Sequence, residues 1–273
     1  MVNTFWTFIL LCLLANNLGA QTFHVDASKE DHLPPYGWYD AINGGVGGYA
    51  SLVVAAIAKE LGFQVETQWI DTPSSQAPGV ALQKVMAGQS DYSFFPPEYL
   101  PDAHALIVSA IPVYHVESRI FVARDSAIKF ERRQELVGLR GGHFGELGVS
   151  GNPEFDRYAE ESLSIVHYPS YAAVARALVD GELDYVVGVN KTLQLEFHLL
   201  GKRAEFTPRG PVIMKVPVHW IISSRSPMAK YAQAMESKLK QYQESGKLRL
   251  MMDNAMKQYL LYRHELDSRA EGE

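Results

Sequence analysis

One segment of this chain occurs twice. Residues 80–95 read VALQKVMAGQSDYSFF and residues 174–189 read VARALVDGELDYVVGV. Aligned on Gly88 and Gly181, both give a helical apolar stretch, then Gly-x-x-Asp-Tyr, then a short run suited to a buried strand. A strand-like segment precedes each copy, at residues 63–70 (FQVETQWI) and 163–168 (LSIVHY). Strand, helix, strand is the unit that builds a parallel sheet, because parallel neighbours need a long crossover. Two such units predict two α/β lobes, with a cleft between them where a ligand can be enclosed.

The length agrees. A chain of 273 residues is long for one core and comfortable for two domains of roughly 100–150 residues. Its net charge of −6, without a basic stripe, argues against nucleic acid as a partner. Residues 5–14 (FWTFILLCLL) form an apolar run, broken by Asn16, Asn17 and Gly19, with Ala20 ahead of Gln21. That is the layout of a secretory signal peptide over residues 1–20, too short to span a membrane, although no Lys or Arg precedes the run. The only cysteine, Cys12, lies inside it. Cleavage near Ala20 would leave no thiol, hence neither a disulfide nor a cysteine nucleophile. The expectation is an unanchored, exported, periplasmic monomer.

Along the rest of the chain, residues 23–26 open as a strand, residues 33–38 (LPPYGW) form a proline-stiffened loop, and residues 51–61 read as a helix closed by Gly62. The prolines of residues 94–101 (FFPPEYLP) stop a strand. Residues 119–124 (RIFVAR) are placed as the first crossing between lobes. Asn152-Pro153-Glu154 reads as a helix start. Residues 219–223 return to the first lobe as a final strand, followed by a long helix from Ser226-Pro227 to Gly246 and a second over residues 248–262. The expected division is residues 21–122 with 217–273 for lobe 1 and residues 123–216 for lobe 2.

In this order the segments resemble the family 3 periplasmic solute-binding proteins, the polar amino acid receptors of ABC importers. The resemblance runs from about Phe23 to Tyr259 and rests on several stretches. These are Pro34-Pro35-Tyr36, Gly48-Tyr49 leading to a helix that ends at Gly62, residues 82–91, Ile111-Pro112-Val113-Tyr114, Leu136-Val137-Gly138 and residues 171–184. It implies a type II binding-protein fold: two α/β lobes, the first discontinuous, joined by two crossing strands and closing on a ligand by hinge bending. It also implies two charged anchors, an arginine for the ligand's carboxylate and an acid for its ammonium group. Here the arginine position falls on Ala103, beside His104, and the acid position on Val189 or Asn190. The hydroxyl residues of the first loop are replaced by Phe95-Pro96-Pro97-Glu98. The fold transfers; the ligand does not. A small polar molecule other than a standard α-amino acid is the expected guest, with an ABC permease or a membrane sensor as the partner.

Candidate ligand contacts follow. Tyr36, Trp38, Trp69, Phe95, Tyr99 and Tyr114 supply flat faces for a planar or cationic group, or else core. Glu98 reads either as a carboxylate for an ammonium or hydroxyl group or as a solvated loop acid. The turn at residues 145–152, with Gly145 and Ser150, precedes a helix N-terminus that suits an anion, or is simply capped by Asn152. Arg119 either replaces the lost arginine or forms a structural ion pair, and Asn190 stands at the second anchor position.

Residues 45–50 match the dinucleotide pattern G-x-G-x-x-A, with Glu66 21 residues after Gly45. The glycines lie far from the first strand, so NAD is set aside, and no cofactor is expected. The nine histidines show no metal-ligand spacing, and no G-x-S-x-G elbow occurs. The rival is an enzyme, dehydratase- or lyase-like, on the same scaffold, with Glu98, Asp102 and His104 as acid and base; the third reading is a sensor-linked binding protein.

Overall fold

The computed structural model describes residues 20–30, 32–72, 77–101, 105–145 and 152–270. The signal-peptide run, Asp102, Ala103, His104 and Ser150 lie outside these residues. The chain begins with β1 (Thr22–Ser28), then a small ribbon of β2 (His32–Leu33), β3 (Gly37–Asp40) and β4 (Gly45–Gly47). Next come α1 (Tyr49–Leu61), β5 (Gln64–Ile70), α2 (Ala77–Ala87), β6 (Tyr92–Phe95) and β7 (Leu106–Val108). After β8 (Tyr114–Ala123) follow β9 (Arg140–Phe144), α3 (Pro153–Ser162), β10 (Ser164–Tyr168), α4 (Tyr171–Val179), β11 (Tyr185–Val189) and α5 (Asn190–Leu199). The return is β12 (Phe206–Ser223), and α6 (Ala232–Glu244) and α7 (Lys247–Ala270) end the described chain.

The main sheet reads the same from either end. Its order is β10-β9-β11-β8-β12-β6-β1-β5, with β7 beside β12. At one end β1 pairs in parallel with β5 and β6; at the other, β9 pairs in parallel with β10 and β11. The long strands β8 and β12 run antiparallel in the middle and join the halves. The repeated unit is therefore real, but its two strands are not neighbours: β1 lies between β5 and β6, and β9 between β10 and β11.

The duplicated Gly-x-x-Asp has the same task in both halves. Gly88 (φ +74°) and Gly181 (φ +75°) take the left-handed backbone that ends each helix. Three residues on, the aspartate caps the neighbouring strand. Asp91 accepts from the His24 amide at 2.6 Å, and Asp184 from the Arg140 amide at 2.7 Å. The backbone closes the pair, with Asp91 N–H donating to His24 C=O at 3.0 Å and Asp184 N–H to Arg140 C=O at 2.8 Å. Ser226 Oγ also donates to Asp91, tying the start of the C-terminal helices to the same point.

Each half has its own core. Phe23, Val53, Ile57, Trp220 and Leu239 are buried together around β1 and α1. Phe121, Val174, Val186, Leu193 and Phe197 are buried around β11. A third cluster holds Ile120, Val122, Leu136, Tyr185 and Val187. Burying each large side chain contributes about 1.5–3 kcal/mol. Ile120, Phe121 and Val122, near the end of β8, pack with the second half. The expected helix start is present: Asn152 Oδ1 accepts from the amides of Glu154 and Phe155, both at 3.1 Å.

Candidate functional site

Two cavities share Tyr36 and Tyr114: the larger is lined by residues of the first half, and the second lies where the halves meet. The larger, of about 460 Å³, is walled by β1, β5 and β6, by the face of α1 that carries Ser51 and Val54, by β3, and by Tyr114 at the start of β8. Its aromatic residues are Tyr36, Trp38, Tyr39, Tyr92, Phe94 and Tyr114. The second, of about 380 Å³, includes Tyr49, His115, Glu117, Asn190, Lys191 and Lys215, and so draws on both halves. Tyr36 and Tyr114 border both cavities. Their rings stack at 4.9 Å between centroids, 27° apart in plane.

Local sequence explains how this pair is held. The proline-stiffened loop delivers Tyr36, whose hydroxyl donates to His115 C=O at 3.0 Å. On the other side of the junction, buried Thr192 of α5 donates to Pro34 C=O. Tyr49, in the first turn of α1, donates to Val113 C=O at 3.0 Å. Burial raises the phenols of Tyr36, Tyr49, Tyr92 and Tyr114 above their ordinary value, so all four are neutral hydroxyls at physiological pH.

Two residues that line the larger cavity each bury a polar atom without a partner and closed off from it: Asp26 Oδ2 and Trp38 Nε1. Asp26 Oδ1 is taken by the Lys84 ammonium, while the Asp26 side chain itself has no exposed surface. The other acid on the wall, Glu66, is exposed. Beside the cavity, Trp38 meets Tyr259 of α7 edge to face at 5.2 Å. The Tyr259 hydroxyl donates to Glu196 Oε1 of α5 at 3.1 Å and accepts from Arg263 at 3.1 Å. His32 Nε2 stands 2.9 Å from the same oxygen, and since the single hydroxyl proton goes to Glu196, the imidazole is the donor. Burial raises the Glu196 carboxyl against the lowering effect of Arg263.

Of the residues singled out in the sequence, Tyr36, Trp38 and Tyr114 come together at the larger cavity, and Asn190 joins Tyr36 and Tyr114 at the second. Asn190 Oδ1 accepts from Gln194 at 2.9 Å. The others among the described residues do not border either cavity. Trp69 packs edge to face on Tyr39 at 5.1 Å. Phe95 turns to the satellite cluster of Leu82, Val85 and Ile221. Glu98 lies exposed on a single 3-10 turn, Pro97–Tyr99, because the two prolines carry the chain outward past the sheet, and Tyr99 is exposed with it. Arg119 donates to Gly210 C=O at 3.3 Å and stands 4.0 Å from Glu117. Gly145, with φ +80°, donates its amide to Tyr168 C=O at 3.1 Å, and its own carbonyl meets His167 Nδ1. Asp26, Thr192, Glu196 and Tyr259 were not anticipated. The alternation of β1 holds a signal for Asp26, an acid inside an otherwise strand-like run.

Among the described residues, no group of three or more His, Cys, Asp or Glu could hold a metal ion, and no helix is long and apolar enough to cross a membrane.

No protein-family model and no curated protein sequence matches the chain. Solved structures do resemble it. Substrate-binding domain 2 of Lactococcus lactis GlnP, in an open conformation, aligns with a TM-score of 0.63 at 14% identity over 87% of this chain and 96% of that one. The amino acid ABC transporter substrate-binding protein AbpA from Streptococcus pneumoniae, bound to L-arginine, aligns with a TM-score of 0.59 at 16% identity over 86% and 94%. A histidine kinase sensor domain with similarity to periplasmic binding proteins aligns with a TM-score of 0.59 at 19% identity over 86% and 96%. At such identities the likeness speaks for the architecture: the chain has the two-lobed fold of the periplasmic binding proteins.

Proposed function

We propose that this chain is an exported, periplasmic solute-binding protein, monomeric in action, which captures a small molecule where its halves meet and hands it to an ABC permease. The observation that carries the reading is the stacked Tyr36–Tyr114 pair, which borders both the cavity of the first half and the cavity where the halves meet, within a fold shared with amino acid receptors of ABC transporters. Residues 21–122 with 217–273 and residues 123–216 are the two lobes of this reading, and residues 1–20 are its export signal. Among the described residues, no arginine or lysine lines the larger cavity, which favours a guest other than an α-amino acid held there by its carboxylate.

A melting screen of the purified protein against small solutes tests this. A ligand at a hundred times its dissociation constant adds about 2.7 kcal/mol of stability. At least one compound is expected to raise the melting temperature and to make the particle more compact in X-ray scattering. If no solute does either, the binding reading falls. If standard amino acids alone do so, the ligand class is wrong.

A second reading rests on the likeness to a kinase sensor domain: the loaded protein signals through a membrane receptor instead of feeding a permease. Pull-down from membranes with and without the ligand separates these two. Of the acid and base residues of the enzymatic alternative, Glu98 is exposed and lines neither cavity.

A further inference from the structure

The wall of the larger cavity offers a guest apolar surface and little usable charge. Val25, Val54, Val65, Pro78, Ala81 and Phe94 line it together with the rings of the tyrosines and of Trp38. The groups on it that could carry charge are engaged elsewhere. The Asp26 side chain has no exposed surface and is paired with Lys84. His32 Nε2 is spent on the Tyr259 hydroxyl. Glu66 is exposed, so its carboxylate stays hydrated. Among the described residues no Lys or Arg lines the cavity. An ion that left water for this wall would give up its hydration without gaining a partner, at far greater cost than a neutral group of the same shape.

One hydroxyl is free to orient a guest. Ser93 of β6 lines this cavity and is only 8% exposed. Its side chain makes no hydrogen bond among the described residues, and unlike Asp26 Oδ2 and Trp38 Nε1 its Oγ is not closed off. A serine hydroxyl both donates and accepts, so it suits a hydroxyl or a carbonyl group. The volume of about 460 Å³ is roughly three times that of a ~150 Å³ apolar cavity that holds one benzene, which leaves room for a body of about two rings.

We infer that the cavity takes a neutral, largely apolar molecule of two-ring size, with a hydroxyl or carbonyl group directed to Ser93, in place of the polar guest expected from the sequence. This inference rests on the solute-binding reading above and narrows it to a substrate class. Affinity comes from apolar area removed from water, and orientation from the single hydrogen bond.

The experiment is calorimetric titration of the purified protein at neutral pH with probes that share a naphthalene body: 2-naphthalenemethanol, which is neutral, 2-naphthoate, an anion, and 2-naphthylmethylamine, a cation. The alcohol is expected to bind at least about tenfold tighter than either ion. Ser93→Ala should weaken the alcohol by about fivefold and leave 2-methylnaphthalene nearly unchanged. Thr67→Lys puts a cation on the same wall and should strengthen the binding of 2-naphthoate. Tighter binding by either ion, equal binding by all, or binding by none overturns the neutral-guest assignment. Equal weakening of alcohol and hydrocarbon by Ser93→Ala overturns the role of Ser93, and no gain for the anion in Thr67→Lys overturns the argument from charge. Binding by any of the probes leaves the solute-binding reading standing. Binding by none brings it down only if the screen of small solutes is also silent.

Discussion

The two aspartates of the repeated unit are equal in sequence and unequal in surroundings, so their removal should not cost the same. Asp91 holds the His24 amide at 2.6 Å and the Ser226 hydroxyl, and Ser226 is itself only 8% exposed. Hydrogen bonds to a charged group contribute about 1.5–3 kcal/mol each. Asp91→Ala removes two and leaves a strand amide and a buried hydroxyl to find new partners. Taking the lower bound for each gives a loss of about 3 kcal/mol. For a chain of this size a melting temperature moves by about 2–4 °C per kcal/mol, so the drop should be about 6–12 °C. Asp184 makes the matching bond to the Arg140 amide, but its other partner is the Arg140 guanidinium at 2.8 Å, which is largely in water. Solvent screening reduces what that ion pair contributes, and the Arg140 amide lies nearer the surface. Asp184→Ala should therefore cost distinctly less. Thermal unfolding followed by circular dichroism of the two variants measures both. A drop for Asp91→Ala no larger than for Asp184→Ala would refute the argument that the first aspartate is the one that joins β1 to the C-terminal helices.

Phe121→Ala should destabilise by about 3–5 kcal/mol in urea unfolding, since Phe121 is wholly buried against Phe197 and leaves a cavity in the second half. Gly142→Ala should cost about 1–3 kcal/mol by overpacking, because a Cβ there would stand 2.3 Å from Leu183 and 2.9 Å from Val174; a neutral result means that β9 shifts to make room. His143 is 6% exposed, and its imidazole is pushed down to about 4, chiefly by burial. Its folded value lies below its unfolded one, so its contribution is complete above about pH 6.5 and fades as the pH falls toward 4. The fading amounts to about 3 kcal/mol. Urea midpoints at pH 7 and pH 5 should diverge in the wild type and diverge less in His143→Gln, where His32, also pushed down to about 4, still titrates; an equal divergence in both proteins would exclude His143 as a cause.

The parts of the fold legible in the sequence are those fixed by local chemistry. Gly88 and Gly181 announce helix ends because the left-handed backbone demands glycine there, and Asn152-Pro153 announces a helix start because cap and first-turn preferences are local. Long-range pairing is not written locally. Nothing in residues 64–95 reveals that β1 will insert between β5 and β6. β12 was hidden as well. Residues 219–223 read as a strand, yet the strand begins at Phe206 and runs through Pro208, Pro211 and Pro217, with its register shift between Arg209 and Met214 taking up the irregularity. At the site, aromatic residues were visible as a type, but an aromatic ring carries no label for cavity or core. Trp69 and Phe95 packed against neighbours, whereas Tyr36, Trp38 and Tyr114 met at a void. Asp26 shows in the sequence only as an acid inside a strand-like run; its partner, Lys84, comes beside it only on folding.

The terminal helix α7 touches both halves of the molecule at one residue. Tyr259 is wedged between Trp38 of the small ribbon and Glu196 of α5, and the same helix buries Ala255 beside α1. A hinge made only of β8 and β12 could swing like a book on its spine; this book has a clasp across the covers. For the pages to part, Tyr259 must release either the indole or the carboxyl, so the terminal helix has to leave with one cover and slide off the other. A chain cut short before Met256 would lack the clasp and should rest more widely open than the intact protein.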